Sequence, residues 1–185
     1  NDKKFQAKAI ILGFGLTPRN LEVPGEKELI GKGVAYCATC DGPLYKGKDI
    51  VVVGGGNSAL DAAEYMSKIA NKVYVLHRGD KFRGEQTLID EMNAAKNIEI
   101  IFNANTVKII GENKVEKLVY KTNDEKTVEL KVDGVFVEIG HIAKTAWLGD
   151  LVEYTDRKEI KISRDCETKT PGLFAAGDVT DITYK

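Results

Sequence analysis

The chain has 185 residues, 43% hydrophobic and 30% charged, with a net charge of -1, enough to bury a core as one domain or as one domain with pieces of another. It shows no basic block to serve as a nucleic-acid footprint and no apolar run near the ~20 residues of a membrane helix; its opening Asn1-Asp2-Lys3-Lys4 has no apolar signal-peptide segment. Three cysteines, an odd number, argue against a secreted disulfide framework and predict a reducing, cytoplasmic setting.

In chain order, Ala9-Ile10-Ile11-Leu12 predicts a short buried strand, ended by Gly13 and Gly15. Residues 17–33 hold Pro18, Pro24, several glycines and mixed charges, which predicts a connector between domains. Ile50-Val51-Val52-Val53 is continuous and β-branched, as expected of a strand covered on both faces of a parallel sheet. Gly54-Gly55-Gly56 follows, then a helix with Ala59, Ala62, Ala63, Met66 and Ile69 at three- and four-residue steps, then the strand Val73-Tyr74-Val75-Leu76. This is a βαβ unit, whose crossover chirality constrains to be right-handed. Residues 86–95 predict a second helix and 98–102 a third strand. Residues 107–110, 115–122 and 127–132 alternate apolar and polar around two turns, as in a three-stranded antiparallel meander. Gly134–Gly140 and Gly172–Asp178 predict two further strands. The chain opens almost directly into a strand and closes on a strand end and turn, and a piece of a longer protein is the expectation.

Gly54-x-Gly56-x-x-Ala59 lies between a strand and a helix, the context in which glycines bring backbone N–H groups to a pyrophosphate and Ala59 lets the helix pack closely. The bland alternative is a tight turn that binds nothing. At the end of the next strand, where an NAD site would hold an acidic residue, stands His77-Arg78-Gly79-Asp80-Lys81-Phe82-Arg83. Arg78 and Arg83 could hold the extra phosphate of NADP, or could be solvated surface cations. His77 alone reads as structural.

Cys37-Ala38-Thr39-Cys40 is followed by Asp41-Gly42. Two thiols at this spacing can close a small disulfide ring, and one ionises readily near a helix start or a cation. Half a zinc site competes, but Cys166, His77 and His141 are scattered singles, and no metal site is assigned. An inert core pair is the third reading. Asp41 is placed to exchange a proton with a thiolate, or to cap a turn. Cys166 has no partner in sequence and is read as structural.

Together Cys37–Gly42, Gly54-Gly55-Gly56-Asn57-Ser58-Ala59, His77-Arg78-x-Asp80-x-Phe82-Arg83, Gly140-His141 and Gly172–Val179 resemble the low-molecular-weight thioredoxin reductase family, in order and spacing. The resemblance implies an α/β fold: a Rossmann-like NADPH-binding and redox-disulfide domain over 21–140, with a parallel sheet plus the antiparallel meander. It implies that 1–20 and 141–185 are remnants of an FAD domain whose closing helix is absent. It further implies that Gly54, Gly56, Asn57, Ser58, Ala59, His77, Arg78, Arg83 and Gly140 bind cofactor, that Asp178 contacts FAD, and that Cys37, Cys40 and Asp41 are catalytic. Electrons would run from NADPH through FAD to the Cys37–Cys40 disulfide and then to thioredoxin, with Cys40 nearer the flavin and Cys37 attacking the partner. A homodimer is implied, as are domain motions about connectors near Pro24-Gly25 and Gly140. Gly79 in place of the family's second arginine weakens strict NADPH preference; Gly13-Phe14-Gly15 and Ala143-Lys144 are further departures. A ferredoxin-linked flavin thioredoxin reductase, a peroxiredoxin reductase component, and a nucleotide-binding module without turnover are the alternatives.

Overall fold

A computed structural model describes residues 3–184. These residues form two compact units: Pro18–Gly140, and the described residues of Asn1–Thr17 with His141–Lys185.

In chain order the elements are β1 (Ile10–Leu12), β2 (Thr17–Pro18), β3 (Val34–Ala35), α1 (Ala38–Asp41), a 3-10 turn (Gly42–Tyr45), β4 (Asp49–Gly54), α2 (Asn57–Ser67), β5 (Lys72–Leu76), α3 (Gln86–Ala94), β6 (Ile98–Ile101), β7 (Ala104–Ile110), β8 (Lys117–Thr122), β9 (Thr127–Lys131), β10 (Gly134–Glu138), β11 (His141–Ile142), a second 3-10 segment (Ala146–Leu151) and β12 (Leu173–Ala175).

The larger unit has three layers. A five-stranded sheet runs in the order β3-β10-β4-β5-β6, with every pairing parallel. Ile50 and Val52 pack with Ala59, Leu60, Ala63 and Met66 of α2. Val51 and Val53 point the other way, into a core with Ile109, Val115, Leu118 and Val132 of the β7-β8-β9 segment. Successive strand side chains alternate faces, so a strand with a helix on one face and a second sheet on the other must be apolar at every position. That is the cause of the unbroken Ile50–Val53 run. The meander is antiparallel throughout, with a register shift between Thr106 and Lys108. Lys117, paired with Glu129 at 2.7 Å, sits on its exposed side.

Residues 17–33 are not the free connector that their Pro and Gly content predicts. Leu29 is buried and Glu26 is 1% exposed. The Glu26 carboxylate accepts hydrogen bonds from the backbone N–H of Leu21 (2.8 Å) and Glu22 (2.7 Å) and from the Tyr36 hydroxyl (2.8 Å). Ile109 N–H donates to the Pro24 carbonyl at 2.9 Å and Val115 N–H to the Lys32 carbonyl at 2.8 Å. Gly25 lies so close to Ile109 that a Cβ would stand 1.9 Å from its carbonyl oxygen. Turn residues here serve close packing rather than freedom, and Pro24-Gly25 is no loose hinge.

The smaller unit is built on β1 and β12, a parallel pair in which Leu12 faces Ala175. Its core holds Leu12, Leu148, Val152, Ile160, Leu173, Ala175 and Val179. Strand β1 is not the buried strand expected: Ile10 is 54% exposed and Ile11 73%. Among the described residues β1 pairs only with β12, so only one of its three side chains reaches the core. Cys166 likewise is no core residue; it is exposed, free, and has a positive φ of 61° in a turn.

Candidate redox and dinucleotide site

In the five-stranded sheet the chain runs from β4 outward to β5 and β6 on one side, while β10 and β3 lie on the other. The order therefore reverses between β4 and β10. In open parallel sheets the crevice beyond the carboxyl ends of the strands at such a reversal is where ligands bind. Gly54 ends β4 there and pairs with Glu138, which ends β10.

The three glycines of the following turn meet different constraints. A Cβ on Gly54 would lie 2.2 Å from the Glu138 carbonyl oxygen and 2.7 Å from the Ala59 Cβ, and one on Gly55 would lie 2.3 Å from Nδ1 of His77. At Gly56 nothing stands within 4 Å, so the turn is packed beneath and open above. Helix α2 has Gly56 as N-cap with no side-chain cap. The first N–H groups of a helix have no intrahelical acceptor, so the Asn57 and Ser58 amides beside the open glycine suit a phosphate. The Asn57 side chain is engaged elsewhere, accepting from Glu85 N–H at 2.9 Å and donating to the Glu85 carboxylate at 3.3 Å. It ties the start of α3 to the start of α2.

The segment after β5 is pinned against this turn. Arg83 N–H donates to the Gly55 carbonyl at 2.8 Å, Asn103 N–H to Gly79 at 3.0 Å, and Ala104 N–H to His77 at 3.1 Å. His77 is buried, with Phe82 at 5.9 Å and Phe102 at 6.4 Å between ring centres. Burial, then the neighbouring Arg83 charge, hold its imidazole below the usual histidine range, so the ring packs as a neutral wedge under Gly55. Arg78 and Arg83 are exposed, and neither makes an ion pair with a carboxylate among the described residues. Two free guanidinium groups and an open glycine turn can hold a dinucleotide with an added phosphate.

The redox turn follows β3 at the same sheet edge. Cys37 and Cys40 are bridged, with their Cα atoms 5.3 Å apart. Cys37 is the N-cap of α1, and its Sγ accepts from Cys40 N–H at 3.2 Å and lies 3.4 Å from the Thr39 hydroxyl. Donors at that sulfur favour negative charge on it once the bridge opens. Cys40 is exposed and Cys37 half-buried. Asp41 closes α1; its charge acts on the Tyr45 hydroxyl, whose pKa is raised by burial first and by Asp41 second.

Two carboxylates here carry no sequence signature. Glu26 holds the Tyr36 hydroxyl, and burial together with that bond raises the Tyr36 pKa; it anchors the segment that delivers Cys37. Glu138, half-buried, is pushed by burial to a pKa of about 7 against the pull of the Ala38 backbone N–H. A lone acid closing the apolar run Gly134–Val137 is the only hint in sequence.

Gly140 is exposed with φ 93°, and its carbonyl accepts from Arg19 N–H at 2.9 Å. Asp178 lies in the smaller unit, exposed, just beyond the carboxyl end of β12, in a turn closed by Thr180 N–H to the Gly177 carbonyl at 2.9 Å. Among the described residues no cluster of His, Cys, Asp and Glu could hold a metal ion, and no helix is long and apolar enough to cross a membrane.

A parallel sheet that presents a glycine turn and a two-residue-spaced disulfide at one edge defines a nucleotide-linked disulfide protein. The chain matches, over residues 1–185, the family described as pyridine nucleotide-disulphide oxidoreductase. It is 42% identical over 184 residues to alkyl hydroperoxide reductase F of Staphylococcus aureus (strain MRSA252), covering 98% of this chain and 36% of that protein. Its structure resembles thioredoxin reductase from Lactococcus lactis (TM-score 0.86, 32% identity) and from T. acidophilum (TM-score 0.85, 38% identity), covering 100% of this chain and 61% of each of those. The chain belongs to the pyridine nucleotide-disulphide oxidoreductase family and is of the thioredoxin reductase type. It spans 36% of the length of the curated relative and 61% of the solved ones.

Proposed function

We propose that the whole protein is an NADPH-dependent flavoprotein disulfide reductase, passing electrons through FAD and the Cys37–Cys40 disulfide to thioredoxin or a thioredoxin-like protein. One observation carries this reading: the bridge and the glycine turn follow β3 and β4, the two strands that flank β10 at one sheet edge, with Gly54 paired to Glu138 at the end of β10 and the Ala38 N–H acting on the Glu138 carboxyl. The Gly56 opening and the Asn57 and Ser58 amides would take the pyrophosphate, with Ala59 allowing the close helix and His77 bracing the turn. Arg78 and Arg83 would take the extra phosphate of NADPH.

The flanking segments are read as parts of an FAD domain. Asp178 fits that group, because an exposed carboxylate just past the carboxyl end of a parallel strand is where such sheets meet a ligand. FAD, when bound, supplies a two-electron carrier between nicotinamide and disulfide. The residues of this chain do the rest. Once reduced, Cys37 is the sulfur best placed to carry negative charge, because it receives the Cys40 N–H. Its thiolate attacks the partner disulfide, a Cys37–partner bond forms, and the partner's other sulfur leaves. Cys40 then attacks Cys37, reforming the bridge and releasing the partner dithiol; Asp41 is the group assigned to hand protons to the leaving sulfurs. The protein is taken to act in the cytoplasm, as its cysteine content predicts, and as a homodimer, as the resemblance implies.

The match to alkyl hydroperoxide reductase F supports a second reading of the partner, a peroxiredoxin. The intact glycine turn and the free arginines speak for a nicotinamide donor over ferredoxin. The test is steady-state NADPH oxidation by the full-length flavoprotein with oxidised thioredoxin or oxidised peroxiredoxin as acceptor. Turnover with thioredoxin is expected, and Cys37→Ser and Cys40→Ser each abolish it while NADPH still bleaches the flavin. Turnover with peroxiredoxin alone would assign the partner to the second reading. Undiminished turnover in Cys40→Ser would contradict the relay itself.

A further inference from the structure

Glu138 has no task in the relay described above, yet it stands at the reversal point of the sheet. It ends β10, which lies between β3 and β4. On the β4 side it pairs with Gly54, the first residue of the glycine turn. On the other side β10 pairs with β3, Phe136 facing Ala35, two residues before Cys37. The donor acting on its carboxyl is the N–H of Ala38, the residue between Cys37 and Thr39. The titratable groups on the flanking elements at this edge are Tyr36, whose hydroxyl is held by Glu26, the two cysteines, and Asp41 of α1. The glycine turn and the first turn of α2, with Asn57, Ser58 and Ala59, contribute none. A half-buried carboxyl at the end of the strand beside β3, with no ion pair to a cation among the described residues, has the surroundings of a proton-exchanging group rather than of an ion pair.

We infer that the Glu138 carboxyl is a proton-exchange partner of the Cys37–Cys40 couple, giving a proton to the sulfur released when the bridge opens and accepting it back when the bridge closes. The inference rests on the redox role proposed for the pair. With an external dithiol as reductant, one of its thiolates attacks the bridge, forms a mixed disulfide and breaks the Cys37–Cys40 bond. The released sulfur takes the Glu138 proton, and Glu138 is reprotonated from solvent. The second thiol of the reagent then attacks the mixed disulfide, closes its own ring and frees the second cysteine. Two electrons and two protons have passed from the dithiol to the pair. The carboxyl is suited to the step because burial brings its pKa to about 7 in the bridged state, and a thiolate formed nearby raises it further, since two adjacent anions disfavour each other.

The 185-residue chain itself can be tested, by equilibrating it with dithiothreitol redox buffers from about pH 6 to about pH 9 and trapping free thiols by alkylation. The reduction equilibrium constant of wild type divided by that of Glu138→Gln is expected to fall by about threefold or more across that range, as linked titration requires. A constant ratio would overturn the inference, because a merely structural role offsets the two profiles without changing their slopes. A mutation-free measurement guards against a folding defect in the variant: the carboxyl ¹³C resonance of Glu138 is expected to titrate at higher pH in the reduced chain than in the bridged one. Coincident midpoints would refute the coupling. A pair that cycles reversibly with parallel profiles removes this inference alone, whereas a bridge that dithiol cannot open and reclose removes the redox reading with it.

Discussion

The two units of the chain invest their apolar residues differently. In Pro18–Gly140 the central strands are covered on both faces, with Ile50, Val51, Val52, Val135 and Phe136 fully buried. In the smaller unit, Ile10, Ile11, Phe14, Trp147 and Leu151 remain exposed, and the Phe14 and Trp147 rings meet at a tilt, with ring centres 5.6 Å apart. The first unit has a self-contained core and carries the glycine turn, the arginines and the disulfide. The second has a small core beneath an apolar surface. Stability and the nucleotide and disulfide chemistry should therefore respond to substitutions in the first unit far more than in the second.

The largest expected contrast is in stability. Phe136→Ala removes a fully buried ring stacked edge-on against Tyr45 at 5.1 Å, and should cost about 3–5 kcal/mol in denaturant unfolding. Ile11→Ala, at an exposed position, should stay within about 0.5 kcal/mol. Comparable losses at the two sites would erase the distinction between the units.

Next is the glycine turn. Gly54→Ala forces a Cβ against the Glu138 carbonyl oxygen at 2.2 Å, a backbone contact with no rotamer to relieve it, and should cost about 1–3 kcal/mol together with a measurable loss of NADPH affinity. Gly56→Ala, whose Cβ meets nothing within 4 Å, should leave thermal stability unchanged while weakening NADPH binding. An equal loss of stability in the two variants would mean that the turn is not packed beneath and open above. Smaller again, Arg78→Ala and Arg83→Ala should each weaken NADPH about tenfold more than NADH by calorimetry, the lower end for a charged hydrogen bond because both side chains are exposed. Equal losses for the two cofactors would show that the arginines do not read the added phosphate.

A further contrast concerns pH. The Glu138 carboxyl is raised from 4.5 to about 7 on folding, by burial, so between those values the folded chain binds more protons than the unfolded one. Its contribution to stability is fully present below the unfolded value and is lost as pH rises through about 7. Melting of wild type should therefore weaken from pH 5 to pH 8 relative to Glu138→Gln, which cannot titrate. Parallel melting curves across that range would place the carboxyl in water-like surroundings.

What could be read from sequence was what local rules dictate. The Ile50–Val53 run announced a strand covered twice, because β-branched residues favour strands and an apolar residue at every position leaves neither face for water. The glycine turn was legible because it falls between a strand and a helix, and the Cys37–Cys40 pair because its spacing permits a ring. Where tertiary contacts decide, the reading failed. Residues 17–33 looked like a connector, but the Glu26 carboxylate collects two backbone donors and a tyrosine hydroxyl, and the Pro24 and Lys32 carbonyls accept from Ile109 and Val115 of the meander segment. Ile10 and Ile11 looked buried, but an apolar pair is buried only if something covers it, and sequence does not say what stands opposite. Glu138 was invisible for the same reason: its altered proton affinity comes from burial and from the Ala38 amide, which is distant in sequence.

The central claim is that electrons from NADPH reach the Cys37–Cys40 bridge. Anaerobic titration of the full-length flavoprotein with NADPH, followed by alkylation and peptide mass spectrometry, tests it most directly. The account predicts that Cys37 and Cys40 become labelled together, in step with added NADPH, while the labelling of Cys166, already free and exposed, does not change. A flavin reduced by excess NADPH with the Cys37–Cys40 bridge still intact would contradict it.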